Sequence, residues 1–277
     1  AQEAKKKNLK VGVGLQRRHQ IGYLDTIKRI QDGEIGDLVA MRCYWNGNTP
    51  WVHTRAEEEK KAGRKLTEME YQMRNWYYFN WLCGDHINEQ HIHNIDVINW
   101  LKNGHPVRAQ GMGGRQVRVG PDYGEIFDHH FVEFEYADGS RLASQCRHIL
   151  GCWNQVSEHA VGTKGTVDLD AGGKWEIKGA NPWKFKNDNQ PNPYQQEHDD
   201  LFAAIRNDTP YNEAEGGALS TMSAIMGRMA TYSGKVVEWD DAINSKINLL
   251  PSSFGWDVLP QVLPGENGLY PCAIPGK

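Results

Sequence analysis

The sequence predicts an α/β (α+β) chain with a large, mainly antiparallel, open-faced sheet and helices on one face. Three observations predict it. Residues 127–136 and 141–149 are alternating runs on either side of Asp138-Gly139, a dipeptide suited to tight hairpin turns. In the first run Val132, Phe134 and Tyr136 point one way and Glu133 and Glu135 the other, so the sheet has one apolar face. Residues 156–161 and 166–169 repeat the pattern around a turn at Gly162-Thr163-Lys164-Gly165. Helical spacing of apolar residues then recurs over 21–31, 85–101, 194–207 and 214–232.

Taken in order, residues 1–8 (AQEAKKKN) read as the last turns of a helix and 9–15 (LKVGVGL) as a buried strand. A helix feeding a strand is the closing half of a βαβ unit, whose opening half would precede residue 1. Ile21, Leu24, Ile27, Lys28 and Ile30 form the stripe of the next helix, which Gly33 and Gly36 end. Residues 38–45 are a strand and 46–74 a polar excursion, with 55–65 a solvated helix or loop. Trp76, Tyr77, Tyr78, Phe79 and Trp81 follow as an aromatic cluster. After the sheet, 194–207 is expected to bury Leu201, Phe202 and Ile205. Residues 214–232 place Leu219, Met222, Ile225, Met226 and Met229 in the core, with small residues that permit close packing. Residues 250–277, rich in Pro and Gly, read as an extended tail. The units are therefore 1–20, 21–249 and 250–277.

Lys plus Arg total 31 and Asp plus Glu 35, a net charge of -4, which argues against a nucleic-acid binder. No apolar run approaches the ~20 residues of a membrane span. The five cysteines form no CxxC pair, and the odd count leaves one outside any bridge; most read as reduced and buried.

The chemistry concentrates in residues 85–100, DHINEQHIHNIDVINW. Asp85, His86, Glu89, His91, His93 and Asp96 can all move protons or bind metals. The apolar positions 87, 95, 98 and 101 make the segment a helix, with Asp85 as its N-cap. Glu89 and His93 then lie one turn apart on one face, a carboxylate beside an imidazole suited to acid/base work. His91 and His93 are about 200° apart on a helix and cannot share a metal. His86-x-x-Glu89-x-His91 matches no zinc signature. No metal site is therefore assigned. A structural polar network is the plain alternative for the cluster. Val11-Gly12-Val13-Gly14 lacks the third glycine of a dinucleotide loop, and Gly111-Met112-Gly113-Gly114 lacks the following helix.

In order and spacing, five segments resemble the Gfo/Idh/MocA oxidoreductases over residues 1–235. They are Val13-Gly14-Leu15-Gln16-Arg17-Arg18-His19, Asp32-Gly33-Glu34-Ile35-Gly36-Asp37, the 84–101 helix, Gly162-Thr163-Lys164-Gly165, and Glu197-His198. The resemblance implies that the sheet domain is a substrate and oligomerisation domain, preceded by the tail end of a Rossmann unit. It implies His93 as proton acceptor for a substrate hydroxyl, with Glu89, where most relatives carry Asp, orienting or stabilising it. The family's Glu-Lys-Pro lysine and glycine-rich loop are absent from this sequence.

The function so implied is NAD(P)-dependent hydride transfer on a sugar, glycoside or polyol. The cofactor, NAD or NADP, would be bound by a longer protein, and this chain alone is expected to be inactive. Arg17 and Arg18, at what would be the carboxyl edge of a sheet, are cofactor candidates. Substrate candidates are His19, Trp45, Trp81, His86, Arg147 and Tyr194, with Trp76 and Tyr77 in the same aromatic wall. The open apolar sheet face implies a homo-oligomer. The alternatives are a non-catalytic binding or assembly domain working with a separate Rossmann subunit, and a metal-dependent hydrolase using the His/Asp cluster.

Overall fold

A computed structural model describes residues 1–186 and 189–277. Helix α1 (Gln2–Lys6) leads to a 3-10 turn at Gln16–His19 and then to α2 (Ile21–Gln31), β1 (Leu38–Gly47), α3 (Arg55–Ala62) and α4 (Glu68–Arg74). A second 3-10 turn, Trp76–Tyr78, precedes α5 (Asn80–Cys83), α6 (His86–Glu89) and α7 (Ile92–Lys102). Strands β2 (Pro106–Gly114), β3 (His129–Tyr136), β4 (Arg141–His148), β5 (Gln155–Gly162), β6 (Gly165–Leu169), β7 (Trp175–Gly179) and β8 (Trp183–Lys184) follow. Helices α8 (Pro193–Asn207) and α9 (Ala214–Ser233), the short β9 (Val237–Glu238) and α10 (Trp239–Ile243) complete the regular structure.

Among the described residues the strands form one sheet, ordered β8-β7-β6-β5-β1-β4-β3-β2-β9. Only β1 and β4 run parallel; the other neighbours are antiparallel. Burial alternates strictly along β3, with His130, Val132, Phe134 and Tyr136 turned inward. That period-two pattern turns one face onto α7 and α9. The Asp138-Gly139 turn joins β3 to β4 as the sequence predicts, with Gly139 at φ +81°. The main core lies between this face and the helices, from Tyr23 and Ile27 through Ile95, Ile98 and Phe134 to Trp175 and Ile177. A second core, Leu66, Tyr71, Tyr77, Tyr78, Phe79, Cys83, Ile126 and Tyr270, forms under the aromatic insertion. Residues 250–277 carry no helix or strand, and Tyr270 lies in that second core.

Four expectations are corrected. Residues 9–15 are not a buried strand: Leu9 is exposed, and the segment makes one bridge, Val11 to Asn212. A strand needs a ladder of partners for its N–H and C=O groups, and here only Val11 is paired across to another segment by its backbone, to Tyr211 and Glu213, among the described residues. In α2 the buried residues are Gly22, Tyr23, Thr26, Ile27 and Ile30, while Leu24 is exposed. Helix α8 forms, but Phe202 and Ile205 are exposed and only Ala204 is buried. Helix α9 fully buries mainly its small residues, Gly217, Ser220, Ser223, Ala224, Gly227 and Ala230, with Met226; Met222 and Met229 pack against the core as expected, and it is Leu219 and Ile225 that fall outside it. A Cβ at Gly227 would come within 2.8 Å of the Phe134 ring, so close approach rather than methionine bulk seats this helix. Cys43, Cys83 and Cys146 are buried free thiols; Cys152 is exposed.

Candidate active site

The predicted helix over 85–100 is two helices. Gly84 and Asp85 both take positive φ, +73° and +71°, and the Asp85 carboxylate caps α6 by accepting from the His86 N–H. The amides of Gln90 and His91 both reach the His86 carbonyl, each at 3.1 Å, and the next bonds run from His93 to Gln90 and from Asn94 to His91. The ladder therefore opens by one residue before α7 begins, with His91 as its cap. Glu89 ends α6 and His93 lies in the first turn of α7. Both remain half-buried beside this break.

Each carries an atom that is buried and without a hydrogen-bond partner among the described residues, Glu89 Oε2 and His93 Nδ1. Burial pushes the His93 imidazole down to about 4, and the Arg17 charge adds to the effect. His93 is thus neutral near pH 7 and able to accept a proton. Burial raises Glu89, opposed by the Tyr77 hydroxyl. The Trp45 indole lies 6.0 Å from the His93 ring at 31°, and the Arg17 guanidinium sits 5.8 Å from the Trp45 centroid. Arg17 Nε and Tyr77 Oη are likewise buried without a partner.

Arg17 is fixed from below. Its Nη1 donates to the buried Glu158, which also accepts from Asn94 Nδ2 and, at 2.9 Å, from Tyr23 Oη. The ion pair gives the guanidinium its counter-charge inside the protein. Glu158 and Asn94 escaped the sequence reading. Glu158 was legible in principle: along β5 it lies on the helix-facing side with Val156 and Ala160, an acid among inward positions.

Beneath the break, Asp85 is a hub. It accepts from His86 Nδ1 at 2.8 Å, Phe127 N at 3.0 Å and Tyr232 Oη at 2.6 Å, with His130 Nε2 at 3.2 Å. The charges of His130 and His86 and their hydrogen bonds hold its carboxyl well below the usual range against the opposing effect of burial. Asp85, His86 and His130 bring one ligand atom each within 4.8 Å of one another, a spacing a metal could use. The Asp85 oxygens are already saturated by donors, which fits a structural network better.

Other predicted site residues fall around this centre or away from it. Arg18 forms a bidentate pair with Asp96, both bonds 2.8 Å, so its fork is spent on α7. His19 is buried between Asp200, at 2.7 Å, and Glu213, at 3.1 Å, tying the 3-10 turn to α8 and the start of α9. His86 has no exposed surface and cannot meet a ligand at the surface of the fold. Trp81 packs against the second core and donates to Gln72 at 2.7 Å, apart from the Trp45 wall. Arg147 alternates with the inward Cys146 and His148, so it lies on the open face, where it donates to the Trp153 carbonyl. Tyr194 is exposed, and its hydroxyl accepts from Gln16 at 3.2 Å, beside Arg17.

A dinucleotide does not fit residues 9–20. Gly12 packs on Leu201, and Gly14 leads into the 3-10 turn rather than an α-helix N-terminus. No phosphate cradle forms there.

The GFO/IDH/MocA C-terminal domain matches residues 23–168. The 2,7-anhydro-N-acetylneuraminate hydratase of Escherichia coli (strain K12) is 24% identical over 166 residues, 57% of this chain and 38% of that protein. The aldose-aldose oxidoreductase of Caulobacter crescentus, solved with glycerol, superposes with a TM-score of 0.66 at 18% identity over 84% of this chain and 65% of its own. A levoglucosan dehydrogenase, solved with NADH and levoglucosan, gives 0.65 at 14% identity over 86% and 68%. These structures share the fold, and the chain spans only part of each relative.

Proposed function

We propose that this chain, which belongs to the GFO/IDH/MocA family, carries the substrate side of an oxidoreductase site for an uncharged sugar, glycoside or polyol. One observation carries the reading. Arg17 Nε and His93 Nδ1, each beside the Trp45 indole, and Glu89 Oε2 at the α6–α7 break are buried polar atoms without partners among the described residues. An unsatisfied buried polar group costs about 1–3 kcal/mol. A polyhydroxylated ligand supplies the missing donors and acceptors while its C–H surface packs on an indole.

In this reading His93 takes the proton of a substrate hydroxyl at Nδ1 as the carbon is oxidised. Glu89, at the end of α6 across the break from His93, is the carboxylate assigned to stabilise the imidazolium that results. Trp45 and Arg17 orient the ring. A nicotinamide coenzyme, NAD or NADP, supplies the hydride acceptor in this reaction class. Residues 9–20 form no cradle for its phosphates, so this chain's share of the chemistry is the proton. The names of the similar solved proteins, an aldose-aldose oxidoreductase and a levoglucosan dehydrogenase, support a sugar substrate. The test is His93→Asn in the enzyme, assayed with NAD or NADP and a panel of neutral sugars and polyols. We expect kcat to fall about 10²- to 10⁴-fold with unfolding unchanged. Oxidation at the parent rate would rule His93 out as the proton acceptor.

A further inference from the structure

We propose that Glu158 is the specificity-determining residue of the candidate site, its carboxylate cancelling the Arg17 charge so that neutral polyols are taken and sugar acids selected against. The inference rests on the sugar-site reading above and narrows its ligand class.

Arg17 is 2% exposed, and its guanidinium lies 5.8 Å from the Trp45 centroid. The His93 ring lies 6.0 Å from the same indole. Arg17 Nε is buried without a partner among the described residues. An unopposed guanidinium at this position would draw a carboxylate, because its fork matches carboxylate geometry and it stays charged at every ordinary pH.

Glu158 withholds that charge. It is fully buried on β5; its Oε1 accepts from Arg17 Nη1 and Asn94 Nδ2, and its Oε2 accepts from Tyr23 Oη at 2.9 Å. Three donors converge on one carboxyl, the arrangement of an ionised, acceptor-only group. They come from three places in the fold: the 3-10 turn, α2 and α7. The Tyr23 ring is itself pinned, 5.8 Å from the Arg17 guanidinium and 5.8 Å from the Trp175 ring. Burial pushes the Glu158 carboxyl up, and Arg17, Tyr23 and Asn94 oppose it. A buried guanidinium without a counter-charge costs far more than the buried pair, so both partners stay charged. The neighbouring cation is spent as well, since Arg18 gives both bonds of its fork, each 2.8 Å, to Asp96. A ligand on Trp45 therefore meets paired charges on this side. A sugar hydroxyl loses nothing there, whereas a carboxylate sheds its water with no net positive charge to replace it.

The test compares each neutral ligand with its own acid. Galactose and galacturonate, and glucitol and gluconate, are titrated at about pH 8 into the 277-residue chain, with the Trp45 indole ¹⁵N signal as readout. The parent is expected to bind the neutral member of each pair more tightly. Glu158→Gln keeps the size of the side chain and removes its charge. It should shift the affinity ratio toward the acid by about 10- to 100-fold, the effect of one charge roughly 6–8 Å away at an effective dielectric near 20. A loosened fold would weaken both members together and leave the ratio alone. The double variant Arg17→Met/Glu158→Met strands no buried charge, so the comparison stands even where the single variant unfolds. Its ratio should match the parent's. A parent-like ratio in Glu158→Gln overturns the proposal, and so does a changed ratio, in either direction, in the double variant. A parent chain that binds no neutral sugar removes the reading above and this inference with it, so the two failures are told apart.

Discussion

Replacing Asp85 by Asn should unmake the platform under the site while leaving its shape intact. Asp85 sits at φ +71°, ψ 161°, a strained conformation that Asp and the isosteric Asn bear alike, so the backbone is not the cause of any loss. One Asp85 oxygen accepts from His86 N and His86 Nδ1; the other accepts from Phe127 N and Tyr232 Oη, with His130 Nε2 alongside. An amide must turn its NH₂ toward one of these sets, so at least two donors lose their acceptor in either orientation. Hydrogen bonds to a charged group are each worth about 1.5–3 kcal/mol, and Tyr232 can recover one by rotating its hydroxyl. The expected loss is about 2–5 kcal/mol, a large share of a typical ~5–15 kcal/mol total. Urea unfolding followed by tryptophan fluorescence and circular dichroism, with equal slopes, measures it. The pH dependence adds a second check. The folded-state value of Asp85 is depressed, so its contribution is present above the unfolded value of about 3.9 and is lost as pH falls through the folded one. The gap between parent and variant should therefore narrow only below about pH 4. A loss under about 1 kcal/mol, or a gap that narrows between pH 7 and 5, would refute the hub.

Acidification from pH 6.5 to 4 should destabilise the parent chain. Burial lowers His86 to about 4, His91 to about 3 and His93 to about 4. The unfolded chain then binds more protons in that window, and stability falls by on the order of 1 kcal/mol per pH unit per group. His19, raised by its hydrogen bonds to Glu213 and Asp200, has its stabilisation fully in place once pH has fallen to about 6.5 and so does not offset the fall inside this window; a urea midpoint that rises over the window would contradict the sum. Gly227→Ala gains about 1 kcal/mol of helix propensity but sets a methyl 2.8 Å from Phe134. Overpacking of about 1–3 kcal/mol should win, and a higher melting temperature would show that α9 has room to move. Arg18→Lys removes the fork that grips Asp96, and thermal unfolding should fall by a few degrees, about 1 kcal/mol.

Alternation made the sheet legible: along β3 and β4 every inward residue can be read from the sequence, because a buried face with period two leaves no other register. The helical character of 85–101 was legible too, and its spacing of four is what singled out Glu89 and His93 as candidates. The break between α6 and α7 was not. It arises from Asp85 at positive φ, held by Phe127 and Tyr232 from distant segments, which local periodicity does not record. The same limit misplaced His86 and Arg147. Their residue types suit a sugar site, yet His86 is drawn inward by Asp85 and Arg147 falls on the outward phase of its strand. Helix α8 has a clear apolar stripe that the described fold leaves uncovered, since periodicity states that a face wants burial without naming what covers it.

The central claim is that the unpartnered polar atoms of Arg17 and His93 beside Trp45, with Glu89 at the α6–α7 break, form the floor of a sugar site. Histidine and indole ¹⁵N spectra of the chain, recorded while neutral hexoses, anhydrohexoses and polyols are added, test it most directly. The account predicts that at least one of them moves the His93 imidazole and Trp45 indole signals together, and that His93→Asn abolishes the Trp45 response. Ligand-dependent shifts that bypass both residues, or none across the panel, would contradict it.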